Sequence, residues 1–420
     1  MEKSKPNLDV VYTKKQQEIY RRCINGDFFM LINHGAKRSG KTILNNDLFL
    51  QELIRVRKIA DEEGIEKPMY ILSGATLGTI QNNILNELTN KYGITFQFDK
   101  HNNFTLFGVY VIQAGHSTIA HLDKIRGMTA HGAYVNEATL ANEEVFDEIK
   151  SRCSGEGARV LADTNPSHPE HWLLKDYIQN EDPQILEYSF GLDDNTFLSE
   201  RYKNNMKSST PSGMFYDRNI KGLWVSGDGV VYSDFDKEKH VINKDRVSEI
   251  TMKRYVVGVD WGFDHYGSIV LIGVDAEDKY YVLEEHAHRH LDIDGWVKIA
   301  EKIGDTYGGI PFYCDSARPE YVYKFRKKQI NAINANKNVM VGIETIASLM
   351  KSSRFFIDYD NCERFRQEIY NYIWHKTKDE PRKEFDDVLD AIRYGIYSDI
   401  ALGEQTPKQD KYKALQSLGL

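Results

Sequence analysis

Several things are missing from this chain of 420 residues, and each absence removes a class of function. Cysteine is scarce: Cys23, Cys153, Cys314 and Cys362 are the only four. No two are spaced as a CxxC pair, which argues against a zinc site or a disulfide framework. No run approaches the roughly 18 apolar residues that a membrane-spanning helix needs. The opening "MEKSKPNLDVVYTKK" has no apolar signal core. The expectation is a protein of a reducing compartment, the cytoplasm, with no membrane partner. A basic excess is also missing, since the net charge is −8. Any contact with nucleic acid must then come from local basic patches, or from metal ions bridging acidic side chains to phosphate. Internal repeats and low-complexity blocks are absent as well.

What is present is ordinary globular material, 41% hydrophobic and 28% charged. The length suggests two domains. In the first half, short apolar runs alternate with helical patterns, which predicts an α/β domain with a parallel sheet. The candidate strands are Phe28–Asn33, Met69–Ser73, Val109–Ala114, Ala133–Asn136 and Arg159–Ala162. A polar, turn-rich stretch follows, with "KSSTPSGM" and "SGDG". Strands are expected again at Tyr255–Asp260, Ser268–Val274 and Tyr280–Glu285, then a helix over Asp294–Tyr307, a strand over Ile310–Cys314 and a helix around Glu384–Ser398. Three consecutive strands followed by alternating helix and strand is the order of a ribonuclease-H-like mixed sheet. The expected division is residues 1–205, a linker at 206–248, a second domain at 249–405 and a tail at 406–420.

The octet Gly35-Ala36-Lys37-Arg38-Ser39-Gly40-Lys41-Thr42 fits the phosphate-cradling pattern GxxxxGK[ST] and follows an apolar strand. Glycines let backbone N–H groups approach phosphate oxygens, and a following helix N-terminus adds positive potential. Lys41 would reach the β- and γ-phosphates of ATP, and Thr42 would hold Mg²⁺. Such a site also needs an acidic group at the end of a neighbouring strand. "GAYVNEAT" offers Glu137 to orient and deprotonate a water, with Asn136 where an aspartate would normally face the metal. On this reading Asn136→Asp should retain or raise ATP hydrolysis. Arg126 in "IRGMTAHG" could act as an arginine finger, with Arg152 competing for the role. Thr164 and Asn165, before Pro166 in "LADTNPSHP", end a strand and could sense the γ-phosphate. Gln17, or its neighbour Gln16, could contact adenine.

The second half repeats a different device. "YVVGVDWG" ends an apolar strand on Asp260, and "IPFYCDSARPE" ends another on Asp315. "EFDDVLDAIRYGIYSD" puts Asp387 and Asp390 on one face of a helix, with Val388, Leu389, Ile392 and Ile396 on the other. Singly, each aspartate suits an ordinary cap. Gathered, such carboxylates need cations among them, and Mg²⁺ or Mn²⁺ is the natural choice. Two such ions can activate a water and stabilise the leaving oxygen in phosphodiester cleavage. Asp386 and Asp264 are weaker members of the set, and His265 could help although it reads more simply as a surface histidine.

In order along the chain, the phosphate loop, "RGMT", "TNP", "GVDWG", "CDS" and "DDVLDAIRYG" resemble the large terminase subunit of tailed bacteriophages. The resemblance spans nearly the whole chain. It implies an N-terminal ATPase that translocates double-stranded DNA, and a C-terminal ribonuclease-H-like endonuclease that cuts concatemers. The implied partners are DNA, the portal protein of the procapsid and a small terminase subunit, with a ring of subunits on the portal in the host cytoplasm. By the same resemblance Lys41 and Thr42 bind Mg-ATP, Glu137 is the catalytic base, and Thr164–Asn165 couple hydrolysis to motion. Asp260, Asp315 and Asp390 take the nuclease metals, and Asp387 falls where relatives have His or Asp. This chain departs from the pattern twice: Asn136 replaces an aspartate, and Lys37 stands where many relatives have arginine. The departure at Asn136 keeps a second reading open, a DNA-binding assembly factor whose ATP site only switches conformation. A third, a repair helicase-nuclease, lacks a second motor domain.

Overall fold

The structure, a computed structural model, describes residues 8–375 and 378–405. The expected tail at 406–420 lies outside the described residues. The chain forms two compact units, the first from the chain up to Lys207 with Tyr216–Ser226, the second from Ser208–Phe215 with the chain from Gly227 on. The stretch expected as a linker, 206–248, is thus shared between the units.

The first unit is built on seven strands: β1 Met30–Gly35, β2 Met69–Gly74, β3 Phe104–Leu106, β4 Val109–Gly115, β5 Gly132–Asn136, β6 Arg159–Thr164 and β7 Ile185–Phe190. Their order is β3-β4-β2-β5-β6-β1-β7. Only β3 runs antiparallel, against β4. Side chains alternate between the two faces. Leu31, Leu72, Tyr134 and Leu161 pack with Ile19 of helix α1 (Lys14–Asn25) and with Leu44, Leu48 and Leu53 of helix α2 (Lys41–Glu62). Ile32, Ile71, Val135 and Ala162 pack on the other face with Val145, Phe146 and Ile149 of the helix Glu143–Arg152. Burial of each such Leu or Ile contributes about 1.5–3 kcal/mol, so the two packed faces, rather than the loops, hold the unit together. Helix α1 starts at a capping box in which Thr13 and Gln16 satisfy each other's end groups. The register pairs His34 with Thr164 and Asn136 with Asp163. The ends of β1, β6 and β5 therefore open side by side, where α/β sheets bind ligands.

The second unit has strands β8 Val241–Ile242, β9 Met252–Asp260, β10 Gly267–Asp275, β11 Tyr280–His288, β12 Phe312–Cys314, β13 Ala332–Asn334 and β14 Phe355–Asp358, in the order β13-β12-β9-β10-β11-β14-β8. β9, β10 and β11 form an antiparallel meander, and the flanking pairs are parallel. One face of this mixed sheet buries Val257, Val259, Ile269 and Leu271 against Trp296, Val297 and Phe325. The other receives the helix Asp387–Gln405, whose Val388, Leu389, Ile392 and Ile396 are buried. Gly258 makes that contact possible. A Cβ there would lie 1.8 Å from the Ala391 carbonyl oxygen, so only glycine lets this helix lie on β9.

The expected strands all form, with ends shifted by a few residues. The edge strands β3, β7, β8 and β13, and β14 beside β8, are additions that the sequence pattern does not announce.

Candidate functional site

Each unit carries one polar cluster. In the first, β1 runs into the octet and α2 leaves it. Gly40 holds φ 95° at the helix N-cap, a left-handed conformation that glycine adopts without a Cβ penalty. Gln16 Nε2 donates to the Gly40 carbonyl at 2.9 Å, and Ser39 Oγ donates to Ala36 O at 2.8 Å. Lys41 is buried. Its ammonium donates to Gly35 O at 2.9 Å, to Ala36 O at 2.6 Å and to Asn165 Oδ1 at 3.3 Å. Burial pulls its pKa down to about 8, against the opposing charges of Asp163 and Glu137. Thr42 is half-buried in the first turn of α2, Lys37 is half-buried, and Arg38 is exposed with a left-handed φ of 59°.

Glu137 follows β5 with φ 57° and ψ 51°. For a residue with a Cβ this conformation costs on the order of 1–2 kcal/mol, so something must hold it. Asp163 Oδ1 accepts the Glu137 backbone N–H at 3.1 Å. Burial, then the charge of Asp163, raises the Glu137 pKa, with Lys41 and Lys37 opposing. A raised carboxylate pKa makes a better proton acceptor. Thr139, on the same loop, donates its N–H to Thr164 Oγ1 at 3.0 Å, and the two hydroxyls lie 2.6 Å apart. Asn165 thus joins Lys41 on one side to the Glu137 loop on the other.

The second cluster gathers at the end of β9. Burial raises the Asp260 pKa well above the carboxylate range, followed by the charges of Asp390, Asp315, Asp387 and Asp386. Asp315 follows β12, where its N–H donates to Val259 O at 2.9 Å. Three of these carboxylates meet cations. Lys337 Nζ is 2.5 Å from Asp315, Arg393 Nη2 is 2.8 Å from Asp390, and Arg364 Nη2 is 3.2 Å from Asp387. His265 Nδ1 lies 3.0 Å from the other Asp387 oxygen. Burial and the carboxylates of Asp390 and Asp387 raise Asp386 to about 6. Among the described residues, no group of three or more His, Cys, Asp or Glu stands as this structure has it in an arrangement that could hold a metal ion. The helix carrying Asp387 and Asp390 is anchored at its start by Glu368. Its Oε2 accepts the N–H groups of Val388 at 2.9 Å and Leu389 at 3.1 Å. Burial lifts Glu368 to about 8 despite those bonds.

Residues 34–239 match the family of the N-terminal part of the terminase large subunit, T4-like-virus type, and residues 257–398 match the terminase RNase H-like domain. This chain belongs to the large terminase family. It carries the family's ATPase domain and its RNase H-like nuclease domain. No curated protein matches it in sequence. Among solved structures it resembles the large terminase of a thermophilic bacteriophage, with TM-score 0.79 and 23% identity over 93% of this chain and 99% of that one. The same phage terminase in complex with ADP gives TM-score 0.77 at 24% identity over 91% and 98%. Its complex with ATP-gamma-S gives 0.75 at 24% over the same shares. At these identities the likeness establishes the fold.

Against this large-terminase frame, the structure brings Lys41, Asn165, Thr164 and Glu137 together, and Asp260 with Asp315, Asp387 and Asp390. Other expected residues lie elsewhere or have different neighbours. Gln17 is turned to Asp9 and the Tyr12 carbonyl, and the glutamine that touches the phosphate loop is Gln16. Arg126 is exposed and meets Asp123 of its own loop at 3.7 Å, while Arg152 meets Glu148 at 2.9 Å. Neither contact leads to Lys41. Asn136 does not present its amide outward. Nδ2 donates to Asp163 Oδ1 at 2.7 Å, and Oδ1 accepts from Asn83 at 3.0 Å. Asp386 and His265, the weaker candidates on sequence, do join the carboxylates, whereas Asp264 is exposed. Asp163, Glu368, Lys337 and Arg364 escape the sequence reading altogether. Only Asp163 leaves a signal there, the same apolar strand ending in Asp that marks Asp260 and Asp315.

Proposed function

We propose that this chain is the motor and nuclease of viral DNA packaging. It hydrolyses ATP to drive double-stranded DNA into a procapsid, and it cuts concatemeric DNA with two divalent ions. The observation that carries the motor reading is the contact of Lys41 with Asn165, which is tied through Thr164 to the Glu137 loop. A change felt at Lys41 has a short polar route to the base. The loop residues suit a Mg-nucleotide: Gly35, Lys37, Arg38, Ser39 and Gly40 for phosphate, Lys41 for the β- and γ-phosphates, and Thr42 for Mg²⁺. A related large terminase has been solved with ADP and with ATP-gamma-S, which supports the same use here. Glu137 takes the proton of the attacking water.

The carboxylates of Asp260, Asp315, Asp387 and Asp390 suit Mg²⁺ or Mn²⁺, because a carboxylate crowded by others gains from a hard cation. Such ions, when bound, supply an activated water and a stabilised leaving oxygen. In this reading the first unit is the motor and the second the nuclease, and Lys337, Arg364 and Arg393 hold the carboxylates in place. The partners are DNA, the portal protein and a small terminase subunit. The chain works as a ring on the procapsid, in the host cytoplasm.

The test is Lys41→Ala in the full chain. ATP hydrolysis and packaging into procapsids should be lost, while nicking of plasmid DNA with Mn²⁺ persists. A Lys41→Ala chain that still packages DNA would sink the motor reading.

A further inference from the structure

Position 136 is where the fold calls for a carboxylate and the chain has an amide. The charge is nevertheless present, one strand closer to the phosphate loop. β6 lies between β5 and β1, and the register sets Asp163 directly beside Asn136. Asp163 is 1% exposed, and buried carboxylates are retained only where they are well bonded. Here three donors reach it. Oδ1 accepts from Asn136 Nδ2 at 2.7 Å and from the Glu137 N–H at 3.1 Å, and Oδ2 accepts from the Tyr134 hydroxyl at 3.1 Å. The amide of Asn136 is held in turn by Asn83 at 3.0 Å.

We propose that Asp163 is the positioning carboxylate of the nucleotide site. It carries on β6 the charge that β5 lacks, and it clamps Glu137 in its left-handed conformation. The inference rests on the assignment of Lys41 and Glu137 to ATP hydrolysis. Three features follow from one side chain. The bond to the Glu137 N–H fixes where the base points. The bond to Asn136 turns a neutral amide into a relay between the two strands. The negative charge beside Lys41 and Glu137 favours the lysine cation and strengthens the base. An aspartate capping an ordinary strand end would need none of these partners on the neighbouring strand. The site therefore has its full acidic complement in a transposed position, and the amide at 136 does not mark a switch that has lost hydrolysis.

The transposition predicts the outcome of a charge swap. In the full chain, Asp163→Asn should lower ATP turnover roughly 10–100-fold, the usual effect of removing an outer-shell partner. Thermal stabilisation by Mg-ADP should persist. Because Asp163 raises the Glu137 pKa, its removal should also move the acidic limb of the pH–rate profile to lower pH. Asn136→Asp alone, which the sequence expects to retain or raise hydrolysis, should instead lower turnover, since it sets two carboxylates against each other at the 2.7 Å contact. The double variant N136D/D163N restores one acid and one amide, and should recover turnover above either single variant. A double variant no better than Asp163→Asn, or Asp163→Asn at the parental rate, overturns the proposal. Should Asp163→Asn fail to fold, Asn136→Asp at or above the parental rate overturns it equally. Lys41→Ala separates the two levels. If that chain hydrolyses ATP normally, the nucleotide site itself is misassigned; if it is inactive while Asp163→Asn is not, only the role of Asp163 falls.

Discussion

Gly258→Ala should disable the nuclease from inside the core. The new methyl would stand 1.8 Å from the Ala391 carbonyl oxygen and 2.9 Å from the Gly395 nitrogen. A carbon–oxygen contact is comfortable at about 3.3 Å, so the helix Asp387–Gln405 must retreat from β9 by roughly 1.5 Å. Both obstructing atoms are backbone, and neither can rotate aside. Overpacking of this kind costs about 1–3 kcal/mol, which the buried Val388, Leu389 and Ile392 can absorb without unfolding. The functional cost is larger. Asp390 immediately precedes Ala391 and Asp260 lies two residues beyond Gly258, so the same displacement separates the carboxylates. Misplacement by about 1 Å can cost on the order of 100-fold in rate. The assay is Mn²⁺-dependent nicking of supercoiled plasmid, run beside ATP turnover and thermal melting. Expected are nicking reduced by about two orders of magnitude, a lowered melting temperature and ATP turnover little changed. Parental nicking together with parental melting would refute the close-approach argument.

Two further predictions concern the same cluster. Asp260→Ala, Asp315→Ala and Asp390→Ala should each abolish plasmid nicking while sparing ATP turnover, and stabilisation by Mn²⁺ on melting should disappear with them. Full cleavage by any one removes that residue from the site, and full cleavage by Asp390→Ala points to Asp387 as the helix ligand. Mn²⁺ affinity should rise with pH, because Asp386 holds its proton up to about 6 and Asp260 is raised well above an ordinary carboxyl, and a cation must displace those protons. The sign follows from the same shifts. A raised carboxyl pKa favours the protonated folded state, so without metal the stability that Asp386 contributes declines as pH rises from the ordinary carboxylate range through about 6, and the contribution of Asp260 declines in the same direction. Calorimetric titration with Mn²⁺ between pH 5 and 8 measures the dependence, and a flat affinity would contradict the crowding of carboxylates around Asp260.

Much is legible in the order of residues because it depends on local rules. Short apolar runs mark β1, β2, β4, β5, β6, β9, β10 and β11, since a central strand covered on both faces is apolar along most of its length. The phosphate loop announces itself because glycines, a lysine and a threonine at fixed spacing are what a backbone cradle and a helix N-terminus require. Asp387 and Asp390 can be put on one helix face, since that spacing is itself helical geometry. β3, β8, β13 and β14 are hidden because two to four residues carry no periodicity of their own and pair only when a neighbour offers its edge. Gln16 and Gln17 are adjacent in sequence but point about 100° apart on α1, and only the packing of that helix chose Gln16 for the loop. Asp163 became a partner of Asn136 and Glu137 only once β6 was laid between β5 and β1. Asp386 and His265 entered the acidic cluster only when Gly258 allowed the helix onto β9. The sequence by itself therefore determined which chemical groups exist and which element carries each. The tertiary structure decided which groups face one another, because strand order and helix docking are set by burial across the whole core and not by neighbours along the chain.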